Sequence, residues 1–273
     1  MSEKITRIIP FRDCECNLKN KNYPIRTIFT LDEGEGKKAT LERAIEACES
    51  ELVLLQDVDV YPAEEVTEQE MLDVMGQADL CILPLRMTTG NGTLIERLQQ
   101  AEYCAIQQLT YWAAKKNRAV MCSGANLLVK REKWLESYAD LHPEIPSGDD
   151  MFLLESFKRR HLRITTTNDP HFEAIVTPQP TLKTLLRQRM RWAGKSIRYK
   201  DRDIILCGAI IVFANLLQLV CPLILLVKFP IEYALIRQKS RDCSFGIIFL
   251  LEIIYPFYVL LCLVGGWFRL KKW

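Results

Sequence analysis

Histidine is scarce in this chain: three residues in 273, His142, His161 and His171. Ten cysteines are present, yet none form a CxxC pair, and Cys14 and Cys16 make one isolated CxC. Zinc sites need two such pairs, or one pair with spaced histidines, so reduced thiols are expected rather than a zinc centre. Charge of one sign is lacking too. Lys and Arg total 36, Asp and Glu 34, for a formal net charge of +2. With no basic excess, no nucleic-acid partner is expected. The opening MSEKITR has no apolar h-region, so no signal peptide is predicted. Everything before the first apolar run is then expected to stay on the side of synthesis. Internal repeats and low-complexity linkers are also missing.

Long apolar runs, by contrast, are present. Ile204 to Val227 is 24 residues without a charge, and Ser244 to Phe268 is 25 with only Glu252. At about 1.5 Å per residue each can cross a hydrocarbon core of roughly 30 Å. Two transmembrane helices are predicted, at about 204–227 and 244–268. Seven Lys/Arg lie between Arg187 and Arg202, and Arg269, Lys271 and Lys272 follow the second run. The intervening loop FPIEYALIRQKSRD and its approach hold Lys228, Arg237, Lys239 and Arg241. The positive-inside rule then predicts an integral, multi-pass membrane protein with both ends cytoplasmic.

The remaining chain alternates helix-like and strand-like segments. KKATLERAIEACES carries Leu41, Ala44, Ile45 and Cys48 at helical spacing, and ELVLLQDVDV follows as a buried strand ending in acids. EEVTEQEMLDVMGQ reads as a helix, ADLCILPLRM as a strand, and GTLIERLQQAEYCAIQQLTYWAAKKN as a long amphipathic helix. RAVMCSGANLLVKREKW gives strand, glycine turn and strand. SGDDMFLLESFKRR is a helix with acids at its start, and HLRITTT a strand. This alternation implies an α/β fold around a mostly parallel sheet, with ligands at the carboxyl ends of its strands. The expected domains are 1–203, with roughly 1–35 incomplete, and a membrane part at 204–273.

Four constellations can carry chemistry. Asp57 and Asp59, at i and i+2, would share one face of a strand and offer hard oxygens to Mg²⁺ or Mn²⁺; a solvated loop is the plainer reading. Ser147-Gly148-Asp149-Asp150 offers a carboxylate general base, or only a helix cap. Gln188, Arg191 and Trp192 can hold a diphosphate and stack on a sugar or lipid-linked acceptor, or form a juxtamembrane basic belt. Lys37, after Gly36, can meet phosphate, or be surface charge.

In order, DVD, then Gly124-Ala125-Asn126, then GDD, then QRMRW, then apolar spans, the set resembles the membrane-anchored family 2 glycosyltransferases. These are the cellulose synthase, hyaluronan synthase and ceramide glucosyltransferase-like enzymes of GT-A-type fold. The resemblance runs from about Gly36 to the end. It implies a nucleotide-sugar donor, a lipid-linked or polysaccharide acceptor, membrane lipid as a neighbour, and Mg²⁺ or Mn²⁺ on Asp59 and Asp57. It implies Asp150 as the base, with Asp149 beside it. Lys37, Gln188 and Arg191 would bind the donor diphosphate; Trp192, Gly124, Ala125 and Asn126 would face the acceptor. Arg187, Arg189, Lys195 and Arg198 would serve the lipid surface.

One departure stands out. TRIIPFRDCECNL resembles the family's opening strand and turn, with Asp13 in the turn. Some 40–50 residues the family has next, by the resemblance, are missing before NYPIRTIFTLDEGEGKKA. They would include a helix and a strand with the acid that grips the base; Asp32 is the available substitute. The departure motivates an alternative, a shortened, non-catalytic protein of the same fold that binds a glycan, lipid carrier or partner. A basic two-span protein recruiting anionic lipid explains QRMRW but neither DVD nor GDD.

Overall fold

The computed structural model describes residues 3–12, 24–145, 147–240 and 242–270. Asp13, Cys14, Cys16, Arg241, Lys271, Lys272 and the side chain of Arg269 lie outside the described residues. In chain order the elements begin β1 (Ile5–Phe11), β2 (Thr27–Leu31), α1 (Lys37–Glu46), β3 (Leu52–Leu55), β4 (Tyr61–Pro62) and α2 (Glu68–Met75). Then come β5 (Leu80–Ile82), β6 (Leu85–Met87), α3 (Leu94–Lys115), β7 (Leu127–Lys130), α4 (Arg131–Glu136), α5 (Asp149–Arg159), β8 (Ile164–Thr166) and β9 (Ala174–Val176). Helices α6 (Leu182–Ser196), α7 (Arg202–Val220), α8 (Leu225–Lys239) and α9 (Phe245–Leu270) complete the order.

The chain divides into two compact units. The first comprises Met1–Arg86 and Ala113–Val176, the second Met87–Trp112 and Thr177–Trp273. Helix α6, expected with the N-terminal domain, therefore groups with the apolar helices.

In the first unit a six-stranded mixed sheet runs β2-β1-β3-β7-β5-β8, and a three-stranded one β4-β9-β6. Three pairings of the larger sheet are parallel, β1 with β2 and β3, and β5 with β8; β7 runs antiparallel to both its neighbours. All four residues of β3, Leu52-Val53-Leu54-Leu55, are buried, as a strand covered on both faces requires. Leu52 and Leu54 pack with Met71, Met75, Cys81 and Leu128 in one apolar cluster. Leu41, Ala44 and Ile45 are the buried stripe of α1. Thr67 and Glu70 cap α2 reciprocally.

Some expected boundaries move. ADLCILPLRM is one apolar run, but Pro84 cannot donate to a ladder, and the run splits into β5 and β6 in different sheets. RAVMC forms no strand, and REKWLE, expected as strand, is α4. Beside β1, where the acid-bearing strand was expected to be lost, lies β2, paired from Arg7–Thr27 to Phe11–Leu31.

His171 ties the smaller sheet's loops together. Its Nδ1 lies 2.8 Å from Glu64 Oε2 and its Nε2 3.3 Å from Glu70 Oε1. The hydrogen bond to Glu64, then the nearby Glu70 carboxylate, raise its pKa above the ordinary 6.5. A raised histidine pKa gives stability that is full below about 6.5 and is lost as pH rises through the raised value. Thermal midpoints should therefore separate wild type from His171→Ala at pH 5.5 and converge by pH 8.5. A constant gap would count against charged pairing.

In the second unit α7 and α9 are long and apolar enough to cross a membrane, over Arg202–Val220 and Phe245–Phe268. The first helix is shorter than the expected span, 204–227, and ends at Val220. Cys221 leaves helical geometry (φ −128°, ψ 88°) and Pro222 follows, which ends the hydrogen-bond ladder. The segment expected as a loop is mostly α8. Glu252, the lone charge of the second run, is fully buried and accepts from Lys228 Nζ at 2.6 Å. Lys228, counted among the charges of the intervening loop, is thus a buried counter-ion, also 3.2 Å from Glu232 Oε1.

Helix α6 packs on α9 through glycines. A Cβ on Gly265 would stand 2.5 Å from Met190 Sδ, and one on Gly266 2.9 Å from Gly194 N. At Gly266 the two backbones come closer than a side chain permits, and at Gly265 the Met190 side chain fills the space a Cβ would take.

Candidate active site

The first unit brings four elements' ends together. Strand β3 stops at Leu55, and Asp57, Val58 and Asp59 follow in a turn in which Val60 N donates to Asp57 O at 3.2 Å. The two acids therefore do not share a strand face, as alternation had predicted. Asp57 is half-buried and Asp59 exposed.

Lys37, the first residue of α1, reaches Asp57. Its Nζ is 2.7 Å from Asp57 Oδ1 and 3.3 Å from Asp149 Oδ2. Desolvation opposes the ammonium charge, but Asp149 and then Asp57 outweigh it and raise the lysine pKa. Desolvation likewise opposes the Asp149 charge, and Lys37 outweighs it to lower that pKa.

Lys37 is aimed by the loop before it. Asp32 Oδ1 accepts from Gly34 N at 3.0 Å and Gly36 N at 2.9 Å, and Oδ2 from Arg12 Nε at 3.2 Å. Gly36, with φ 93°, occupies backbone space that L side chains avoid. Burial alone would raise the Asp32 pKa, but the two glycine amides and Arg12 bring it below the ordinary value. Asp32 thus follows the strand beside β1 and spends its oxygens organising the loop that presents Lys37.

Asp149 and Asp150 open α5 after Gly148, whose φ of 88° again favours glycine. Negative charge suits that helix end. Asp150 Oδ1 accepts from Met151 N at 2.8 Å and Oδ2 from Gly124 N at 3.4 Å. A Cβ on Gly124 would lie 3.4 Å from Asp149 Oδ2 and 3.5 Å from Lys37 Nζ, in ordinary van der Waals contact, so the turn runs directly against the charged cluster.

Asn126, expected toward the acceptor, is buried with its amide fully used. Oδ1 accepts from Gln56 Nε2 at 2.9 Å; Nδ2 donates to Pro84 O at 2.9 Å and Phe172 O at 3.0 Å. Gln56 Oε1 in turn accepts from Arg7 Nε at 2.7 Å. The side chain is a strut beneath the turn, and Ala125 is buried beside it. Asn126→Ala strands three buried partners and should cost about 2 kcal/mol. Thermal unfolding in detergent reads this; an unchanged midpoint would contradict the strut.

The second unit holds QRMRW on α6. Arg191 is exposed and Trp192 partly so, at 37 %. Arg189, expected at the lipid surface, is instead buried. Its Nη2 is 2.7 Å from Glu102 Oε2, its Nη1 donates to Gln188 Oε1 at 3.0 Å, and its guanidinium lies 4.2 Å from the Trp192 ring centroid. Tyr255 OH donates to the other Glu102 oxygen at 3.3 Å. Sequence reading missed Glu102. The available signal was an acid inside the apolar stripe of a long helix, which needs a partner.

A divalent metal taken up with a diphosphate needs one or two protein carboxylates, the phosphates supplying further oxygens. Asp57 and Asp59 match that donor set. Among the described residues no group of three or more His, Cys, Asp or Glu is arranged to hold a metal unaided. The fit is thus to a metal that arrives with phosphate.

No curated protein matches the sequence. Among solved structures, mannosyltransferase PcManGT from Pyrobaculum calidifontis, in complex with GDP-Man and Mn²⁺, gives a TM-score of 0.60 at 13% identity, covering 98% of this chain and 87% of that one. S. aureus TarS 1–349 in complex with UDP gives 0.48 at 12% identity, covering 98% and 90%. At such identities the first likeness speaks to fold, and the second adds no argument. The family described as glycosyltransferase like family 2 matches residues 15–195, a segment that includes Lys37, Asp57, Asp59, Gly124, Asp149, Asp150 and QRMRW. Most of the chain lies in that segment, and the chain therefore belongs to glycosyltransferase family 2, as a glycosyltransferase of GT-A-type fold.

Proposed function

We propose that this glycosyltransferase is membrane-bound, metal-dependent and inverting, and moves a sugar from a nucleotide sugar to a lipid-linked or polysaccharide acceptor. The observation that carries the reading is the meeting of Lys37, Asp57 and Asp149 in one cluster, with Asp150 held by the Gly124 amide. The GDP-Man and Mn²⁺ complex of the structural neighbour supports donor class and metal. The two apolar helices support the membrane.

Asp57 and Asp59 would hold Mg²⁺ or Mn²⁺, which neutralises charge on the departing nucleoside diphosphate. Lys37 binds a diphosphate oxygen. Asp150 takes the proton of an acceptor hydroxyl as that oxygen bonds to the anomeric carbon. Attack comes from the face opposite the leaving diphosphate, whose bond to the sugar breaks, so the anomeric centre inverts. Gln188, Arg191 and Trp192 keep the diphosphate and acceptor roles that the QxxRW resemblance gives them.

The test is nucleoside diphosphate release by protein purified in detergent, with a panel of nucleotide sugars, Mn²⁺, and lipid or glycan acceptors. Release that depends on acceptor and metal supports the reading. A panel with no turnover and no donor hydrolysis would refute it.

A further inference from the structure

The Lys37 ammonium and a divalent metal on Asp57 would compete for one carboxylate. Nζ sits 2.7 Å from Asp57 Oδ1 and bridges to Asp149 Oδ2 at 3.3 Å. A metal ion would approach the Asp57 carboxylate at about 2.1 Å. Two cations on one carboxylate edge repel each other, strongly where water is scarce. Lysine suits this place because its charge is compact and its stem flexible, so it can transfer between anions. Its helix end is pinned by the Asp32 loop, and the unbranched four-carbon stem has the rotatable bonds such a transfer needs.

We propose that Lys37 is a resident counter-ion which keeps divalent metal off Asp57 until a diphosphate arrives. The diphosphate draws the ammonium onto its own oxygens, Asp57 is released, and metal enters with the nucleotide. Metal and diphosphate therefore bind with strong mutual dependence, and neither binds well alone. The exchange involves no covalent change: one ion pair, Lys37 with Asp57, is replaced by Lys37 with phosphate and metal with Asp57. Asp149, at 3.3 Å, gives the ammonium a second anchor to pivot about. This inference rests on Asp57 belonging to the metal site of the proposed function.

Mn²⁺ binding to the full chain in detergent, followed by electron paramagnetic resonance, tests it without sugar transfer. Uridine diphosphate and guanosine diphosphate serve as probes. In wild type, Mn²⁺ alone should bind at least about tenfold more weakly than with the better diphosphate. Lys37→Met should bind Mn²⁺ alone about tenfold more tightly than wild type, a gain of about 1.4 kcal/mol, and lose most of the diphosphate dependence. Lys37→Arg, which keeps a cation, should stay weak. Lys37→Gln replaces the Met variant if that one misfolds. Adding Asp57→Asn to Lys37→Met should abolish the gain. Unchanged or weaker Mn²⁺ binding by both neutral variants overturns the proposal. A chain that turns over no nucleotide sugar yet shows the gain would keep the counter-ion and lose the enzymatic reading. Normal turnover without the gain would remove the counter-ion alone.

Discussion

Asp150→Asn should slow sugar transfer by roughly 10²- to 10⁴-fold, the range in which a positioned base contributes. That is about 2.7–5.5 kcal/mol of barrier. The effect should fall on kcat, with KM for the donor nearly unchanged, because Asp150 is not among the groups assigned to the diphosphate. Folding should survive. An Asn oxygen still accepts from Met151 N, and the weaker bond from Gly124 N, at 3.4 Å, is the one at risk. A variant within twofold of wild-type kcat would move the base elsewhere. Asp149→Asn should behave differently: it loosens the second anchor of Lys37, so its main effect should be on KM for the donor.

The largest effect on stability is expected from Glu102→Ala. Glu102 and Arg189 each retain only 7 % side-chain exposure. Removing one partner leaves a buried guanidinium uncompensated, which costs about 3–5 kcal/mol. Tyr255 would lose its acceptor as well. Burial opposes the Arg189 charge, but Glu102 outweighs it and raises the arginine pKa further, so the side chain cannot escape by deprotonating. A large fall in thermal midpoint is the expected reading. The double variant Glu102→Leu/Arg189→Met should recover much of it, because an apolar pair of similar volume removes both burial penalties together. It should not restore the setting of Trp192, whose ring lies against the Arg189 guanidinium. Stability and transfer should therefore part company in the double variant. If both recover, Arg189 acts only as packing.

Local periodicity made α1, α2, α3 and α5 legible, because each carries an apolar stripe or a cap within its own span. The run Leu52–Leu55 was readable as a buried strand for the same reason. Asp57 and Asp59 read as the end of that strand, sharing a face, but the chain has already turned there and alternation no longer applies. Pro84 was visible, yet its consequence, two strands in two sheets, depends on which neighbours each half finds. Partnerships across long separations were not readable. Arg189 meets Glu102 from 87 residues away and Lys228 meets Glu252 from 24. Nothing local distinguishes such charges from surface ones except the apolar company they keep. Asn126 shows the reverse error. Its turn read as acceptor-facing, while its amide is consumed by Gln56, Pro84 and Phe172.

The glycine seam between α6 and α9 has a consequence of its own. With the backbones of Gly194 and Gly266 in close approach and the Met190 side chain wedged against Gly265, α6 cannot slide along α9 without opening the seam. In a bilayer, whatever sets the depth of α9 also sets the height of Trp192. On the proposed membrane reading, hydrocarbon thickness would act as a ruler for one indole ring, and reconstitution in shorter or longer acyl chains would be a dial for that height.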